Sequence, residues 1–101
     1  MTFEVEFHPT ASAEVEETKR WYLVRSGDAA AHFEEELWSV VGQIAQDPNV
    51  WPERSPGIRQ RPMRAFPFLI VYRVRQGAIE IVAVAHGSRK PGYWRRRLAG
   101  I

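Results

Sequence analysis

The chain has 101 residues, 45% of them hydrophobic, with four Trp, three Tyr and five Phe; this is enough apolar area for one compact domain without metals or crosslinks. The absence of cysteine excludes disulfides and thiol-ligated zinc or iron-sulfur sites and fits a reducing compartment. The formal net charge of +2 conceals a segregation: residues 1–50 carry three basic residues against ten acids, and residues 51–101 carry eleven against two. Such asymmetry points to a nucleic-acid or acidic-protein partner, or else to a polarised surface that serves only solubility or internal pairing.

The first residues hold two early acids and no long apolar run, so neither a secretory signal nor a membrane span is expected, and the cytoplasm is the expected location. Phe3, Val5 and Phe7 alternate with Glu4, Glu6 and His8, which predicts a strand over 2–8 that Pro9 stops. Thr10 or Ser12 is then placed to cap a helix over 11–25, whose first turns hold Glu14, Glu16 and Glu17 at the positive end of the dipole. Ala11, Val15, Thr18 and Tyr22 recur at helical spacing, and Ser26-Gly27 ends the run. Asp28 is placed to cap a second helix over 29–46, and so short a link implies an antiparallel helical hairpin. Its apolar stripe is Phe33, Leu37, Val40, Val41 and Ile44, with Glu34, Glu35 and Glu36 on the more exposed side. Asp47-Pro48 terminates it, and the segment to Gly57, with Pro52 and Pro56, reads as an ordered loop that Trp51 docks on the core.

Strands follow over 58–64, 66–75 and 78–86, the last two joined by Gln76-Gly77 as a hairpin. Phe68, Ile70, Tyr72 and Val74 form one face of the middle strand, and Ile79, Ile81, Ala83 and Ala85 one face of the last. Arg59, Arg61, Arg73 and Arg75 are expected to ride one exposed face as a single patch for a target. Residues 87–101 form a basic, aromatic tail. The order βααβββ predicts an α+β fold, a small, largely antiparallel sheet with the helical hairpin packed on one face. No metal-ligand pattern surrounds His8 or His32, and no phosphate-cradling loop occurs, so no metal and no cofactor are expected.

Within this order stand Trp21-Tyr22 late in the first helix, the run Phe66-Pro67-Phe68-Leu69-Ile70-Val71-Tyr72, and the run from Ile81 through His86-Gly87-Ser88-Arg89-Lys90-Pro91-Gly92-Tyr93-Trp94. Together they resemble the RelE/ParE superfamily of toxins from bacterial type II toxin-antitoxin systems, most of all its ParE-type plasmid-stabilisation branch. The resemblance covers nearly the whole chain. It implies a growth-inhibiting toxin silenced by a cognate antitoxin that wraps the helices and sheet. ParE-like members are associated with poisoning DNA gyrase, whereas RelE-like members cut messenger RNA on the ribosome.

Metal-free RNA cleavage needs a base for the 2′-hydroxyl, cations for the scissile phosphate and an acid for the leaving oxygen. In RelE-type nucleases the middle strand carries an Arg where this chain has Leu69, so the family's phosphate-holding cation is missing. The nuclease alternative would rely on Arg64, His86, Arg89 and Tyr93 against ribosome and mRNA. The primary expectation is inhibition by binding gyrase, through His86, Arg89, Tyr93, Trp94 and the run Arg95-Arg96-Arg97, together with the strand arginines. Each residue also has a plainer reading: His86 as a hydrogen-bonded strand end, Tyr93 and Trp94 as tail anchors, the arginine run as a solvated terminus. Glu34, Glu35 and Glu36 are candidates for orienting a basic antitoxin segment. A nontoxic nucleic-acid-binding domain of the same fold is a third reading.

Overall fold

In the computed structural model, which describes residues 2–99, the chain runs β1 (Val5–Phe7), α1 (Pro9–Arg25), α2 (Gly27–Gln46), β2 (Glu53–Ser55), β3 (Ile58–Pro62), β4 (Phe68–Arg75), β5 (Ala78–His86) and a 3-10 helix at Arg95–Ala99. The last two residues of the expected tail, Gly100 and Ile101, lie outside the described residues. Pro9 opens α1 as well as ending the strand run, because its fixed φ and missing N–H suit the first helical position. The cap is therefore His8, not Thr10 or Ser12: its Nδ1 accepts the Thr10 N–H at 3.0 Å. Ser26, rather than Asp28, caps α2 through its hydroxyl, which accepts from Ala29 N–H at 3.3 Å. The same residue ends α1 by donating its N–H to Tyr22 O, so one extended residue turns the chain between two helices.

Five strands pair in the order β1-β5-β4-β3-β2. Only the β1–β5 pair is parallel; the other three are antiparallel. The helical hairpin lies on one face, and Phe33, Leu37, Val40 and Ile44 of α2 pack there against Phe68, Ile70, Tyr72, Ile79 and Ile81. Each such burial stabilises the fold by about 1.5–3 kcal/mol before entropy is counted. The Tyr72 hydroxyl, fully buried, donates to Pro48 O at 2.6 Å and ties the loop after α2 to the sheet. That loop also contains β2, a three-residue edge strand where the sequence predicts only loop; prolines on either side keep its pattern too short to register.

β5 departs from strict alternation. Val71 faces Ala83 and Tyr72 faces Ile81, so Val82 is an extra residue in β5. Ile79 and Ile81 consequently face the helices, while Ala83 and Ala85 turn to the opposite face with Val82 and Val71. The expected single face of Ile79, Ile81, Ala83 and Ala85 is thus split by a bulge. On this second face Trp94 is buried, with Leu69, Tyr93 and Leu98 packed beside it, so the C-terminal segment folds back over the sheet.

Register also separates the strand arginines. Arg59 and Arg61 oppose Tyr72 and Ile70 and so share the helix face, whereas Arg73 opposes Glu80 on the tail face, with Arg75 two residues on. The single patch expected of these four does not form. Among the described residues no helix is long and apolar enough to cross a membrane.

Candidate functional site

β1 is short, and its last bond to β5 runs from His8 N–H to Ile81 O at 2.9 Å. Beyond Ile81 the outer edge of β5 would present unpaired backbone groups, the usual liability of an edge strand. Two side chains occupy it instead. Glu14, from the second turn of α1, accepts the Val84 N–H at 3.0 Å through Oε1. Arg97 donates to Val82 O at 3.0 Å and pairs with both Glu14 oxygens at 2.9 Å. The Tyr93 hydroxyl donates to Glu14 Oε2 at 2.6 Å. The Glu14 and Arg97 side chains are only 13% and 12% exposed, so this bidentate pair is well shielded.

Beside this clasp lies a groove of about 550 Å³ between α1 and the ends of β4 and β5. Trp21 and Tyr22 form its helical wall, Pro67, Phe68 and Val84 its floor, and His86, Ser88, Arg89 and Tyr93 its far side. Trp21 is 54% exposed, and the Arg25 guanidinium stacks 3.5 Å from its ring centroid. His86 packs edge-on against Phe68, with centroids 5.1 Å apart. Its Nδ1 accepts the Ser88 N–H at 3.0 Å, which leaves the proton of the neutral ring on Nε2.

The sequence-derived candidates fall into distinct places. His86, Arg89 and Tyr93 meet in the groove, but Arg64 does not line it; its backbone N–H, like that of Ala65, is held by the Glu36 carboxylate. Leu69 packs on the tail face, away from the groove. Arg59 is bound by Trp51 O at 2.6 Å, Arg61 by Gln43 at 2.8 Å, and Arg73 by Glu80 at 2.7 Å. Arg75 sits in a small polar recess with Glu6 and Glu80. Trp94 is 3% exposed, so it anchors the tail. Arg89, Lys90, Arg95 and Arg96 are exposed; Arg89 stacks 3.9 Å over the Tyr93 ring and Arg95 5.0 Å over Trp94. Glu36 holds the β3–β4 turn, and Glu34 lies 3.3 Å from Lys19, so these two acids already have internal partners. Glu14 was missed as a key residue, since nothing in a run of three early acids marks it out.

Against this geometry, a family model described as the ParE toxin of type II toxin-antitoxin system, parDE, matches residues 5–91. The chain belongs to the ParE toxin family. Among solved structures, a chain of the chromosomal ParDE TA system from P. aeruginosa is similar with a TM-score of 0.73 and 21% identity, covering 84% of this chain and 96% of that one; the likeness bears on fold. A search of curated proteins found no match.

In this ParE-family toxin the clasp sets the protonation of its members. Burial alone would raise the Glu14 carboxyl, but the bonds from Arg97, Tyr93 and Val84 outweigh it and hold Glu14 below its ordinary value. Burial and the Glu14 carboxylate push the Tyr93 hydroxyl up to about 12. A phenol so held is no proton acceptor at neutral pH. Among the described residues, no cluster of three or more His, Asp or Glu is arranged to hold a metal ion.

Because the folded pKa of Glu14 lies below its unfolded value, the carboxylate stabilises the ParE fold above that unfolded value, and the contribution is lost as pH falls through the folded pKa. Urea unfolding measured stepwise downward from the unperturbed value of 4.5 is expected to show the wild type losing stability faster than Glu14→Gln. Parallel acid profiles of the two proteins would contradict the assignment.

Proposed function

We propose that this toxin of a type II toxin-antitoxin system arrests growth by binding DNA gyrase rather than by cutting RNA, with the segment His86 to Arg97 supplying the contact surface. The observation that carries this reading is the state of Tyr93. Its hydroxyl donates to the Glu14 carboxylate at 2.6 Å, so the tyrosine that a nuclease would need is engaged within the fold. Leu69 faces away from the groove and Arg64 lies outside it, which leaves Arg89, stacked on Tyr93, as the one Arg or Lys among the described groove-lining residues to meet a scissile phosphate. The exposed cations Arg89, Lys90, Arg95 and Arg96 instead suit a large anionic or acidic partner.

The cognate antitoxin that membership of the family implies would silence the toxin by seating an apolar side chain between Trp21 and Phe68 while covering His86 and Arg89. The apolar floor and the exposed Trp21 support that placement.

Purified toxin added to gyrase and supercoiled DNA is expected to accumulate cleaved-DNA complexes, while messages translated in its presence stay intact. Codon-phased cuts in those messages, without gyrase-DNA complexes, would reverse the reading.

A further inference from the structure

We infer that Glu14 on α1 is the positioning residue of the C-terminal contact segment: its carboxylate substitutes for a missing strand on the β5 edge and, through Tyr93 and Arg97, fixes the direction in which the exposed cations point. The inference rests on the reading above for the target, but its structural half stands on the clasp alone.

Three observations converge on this role. The segment that carries Arg89, Lys90, Arg95 and Arg96 is anchored at its start by Gly87 N–H donating to Pro67 O at 2.7 Å. Its far end is held by Arg97, whose guanidinium meets the Glu14 carboxylate and Val82 O. Between these anchors the phenol of Tyr93 is bonded to the same carboxylate, and the ring of Tyr93 is the surface on which Arg89 stacks. A chain of contacts thus runs from Glu14 to Tyr93 to Arg89, and a second from Glu14 to Arg97 and the 3-10 helix that presents Arg95 and Arg96. Gly92 lets the segment turn: its φ is +79°, and a Cβ there would lie 2.7 Å from Arg95 Nε.

The chemistry requires a carboxylate at position 14. Two oxygens must accept from Val84 N–H, from the Tyr93 hydroxyl and from two guanidinium nitrogens. An amide offers one acceptor oxygen and turns its NH₂ toward donors it cannot satisfy. Glu14 lines the inner side of the groove, and its side chain is largely shielded from solvent, so it acts on the exposed cations through Tyr93 and Arg97.

The test compares wild type with Glu14→Gln and Tyr93→Phe, each at a temperature where circular dichroism shows it fully folded. Hydrogen exchange at the Val84 amide and Trp94 fluorescence, isolated by changing Trp21, Trp38 and Trp51 to Phe in every protein compared, report the clasp and tail, and affinity for purified gyrase reports the surface. Glu14→Gln is expected to expose the Val84 amide, shift Trp94 emission and weaken gyrase binding by about tenfold, because a disordered contact segment must be ordered on binding. Tyr93→Phe keeps the ring under Arg89 and is expected to lose less affinity than Glu14→Gln. A Glu14→Gln protein with Val84 still protected overturns the inference, as does one with a released tail and undiminished affinity. Failure of the wild type itself to bind gyrase would instead sink the proposed target, while exchange and fluorescence would still report whether Glu14 holds the segment.

Discussion

Replacing Arg97 with alanine is expected to destabilise the protein by about 3–5 kcal/mol, the usual consequence of stranding one partner of a shielded ion pair. The two side chains are largely shielded from solvent, and Arg97 also satisfies the carbonyl of Val82 at the bulge. Without it, the Glu14 carboxylate would remain in a low-dielectric site with only the Tyr93 hydroxyl and the Val84 amide to offset desolvation. Small domains have roughly 5–15 kcal/mol in total, so a loss of this size is a large share of the whole. Urea unfolding at neutral pH should show the midpoint falling, and the acid dependence attributed to Glu14 should flatten because its strongest stabilising partner is gone. A loss below about 1 kcal/mol, the level typical of a surface pair, would show that solvent reaches the clasp freely.

A comparable loss, about 3–5 kcal/mol, is expected for Trp94→Ala, with a different functional consequence. Trp94 is the largest side chain on the tail face and covers Val71, Val82, Ala83 and Ala85, all of which are buried. Its removal leaves a cavity beneath the 86–97 segment, so the segment is expected to detach locally before the helix-side core unfolds. The growth arrest proposed above should then be lost at temperatures where circular dichroism still shows folded helices. Full arrest by a folded Trp94→Ala toxin would mean that the packing of Trp94 does not position the contact segment.

The two helices, the three later strands and the hairpin at Gln76-Gly77 were legible in the sequence because they rest on long periodic runs and turn chemistry; the left-handed φ of 53° and 78° at those two residues is the expected signature of that tight turn. The bulge at Val82 was not legible, because Ile-Val-Ala-Val-Ala is apolar on both faces and a one-residue shift leaves no polar mark. Nor could the run Arg95-Arg96-Arg97 be divided from sequence. The 3-10 helix, with its three-residue period, carries Arg97 to the same side as Trp94, against β5, while Arg95 and Arg96 stay in solvent. The sequence predicts Arg97, Arg73 and Arg59 as contact residues, yet each meets an acid within the fold. What decided their fate was the location of Glu14, Glu80 and Glu53, a matter of strand register and helix placement that a linear charge count does not contain.

The toxin's reach toward its target should therefore depend on the cations that stay outside the fold. A variant with Arg89, Lys90, Arg95 and Arg96 all changed to Gln, and Arg97 left in place, measures this most directly. These side chains lie on the surface, so each change should alter stability by no more than about 0.5–1 kcal/mol. On the proposed gyrase reading, this variant is expected to stay folded yet neither trap gyrase on DNA nor stop growth when induced. Growth arrest as complete as that of the wild type, from a protein lacking all four charges, would contradict it.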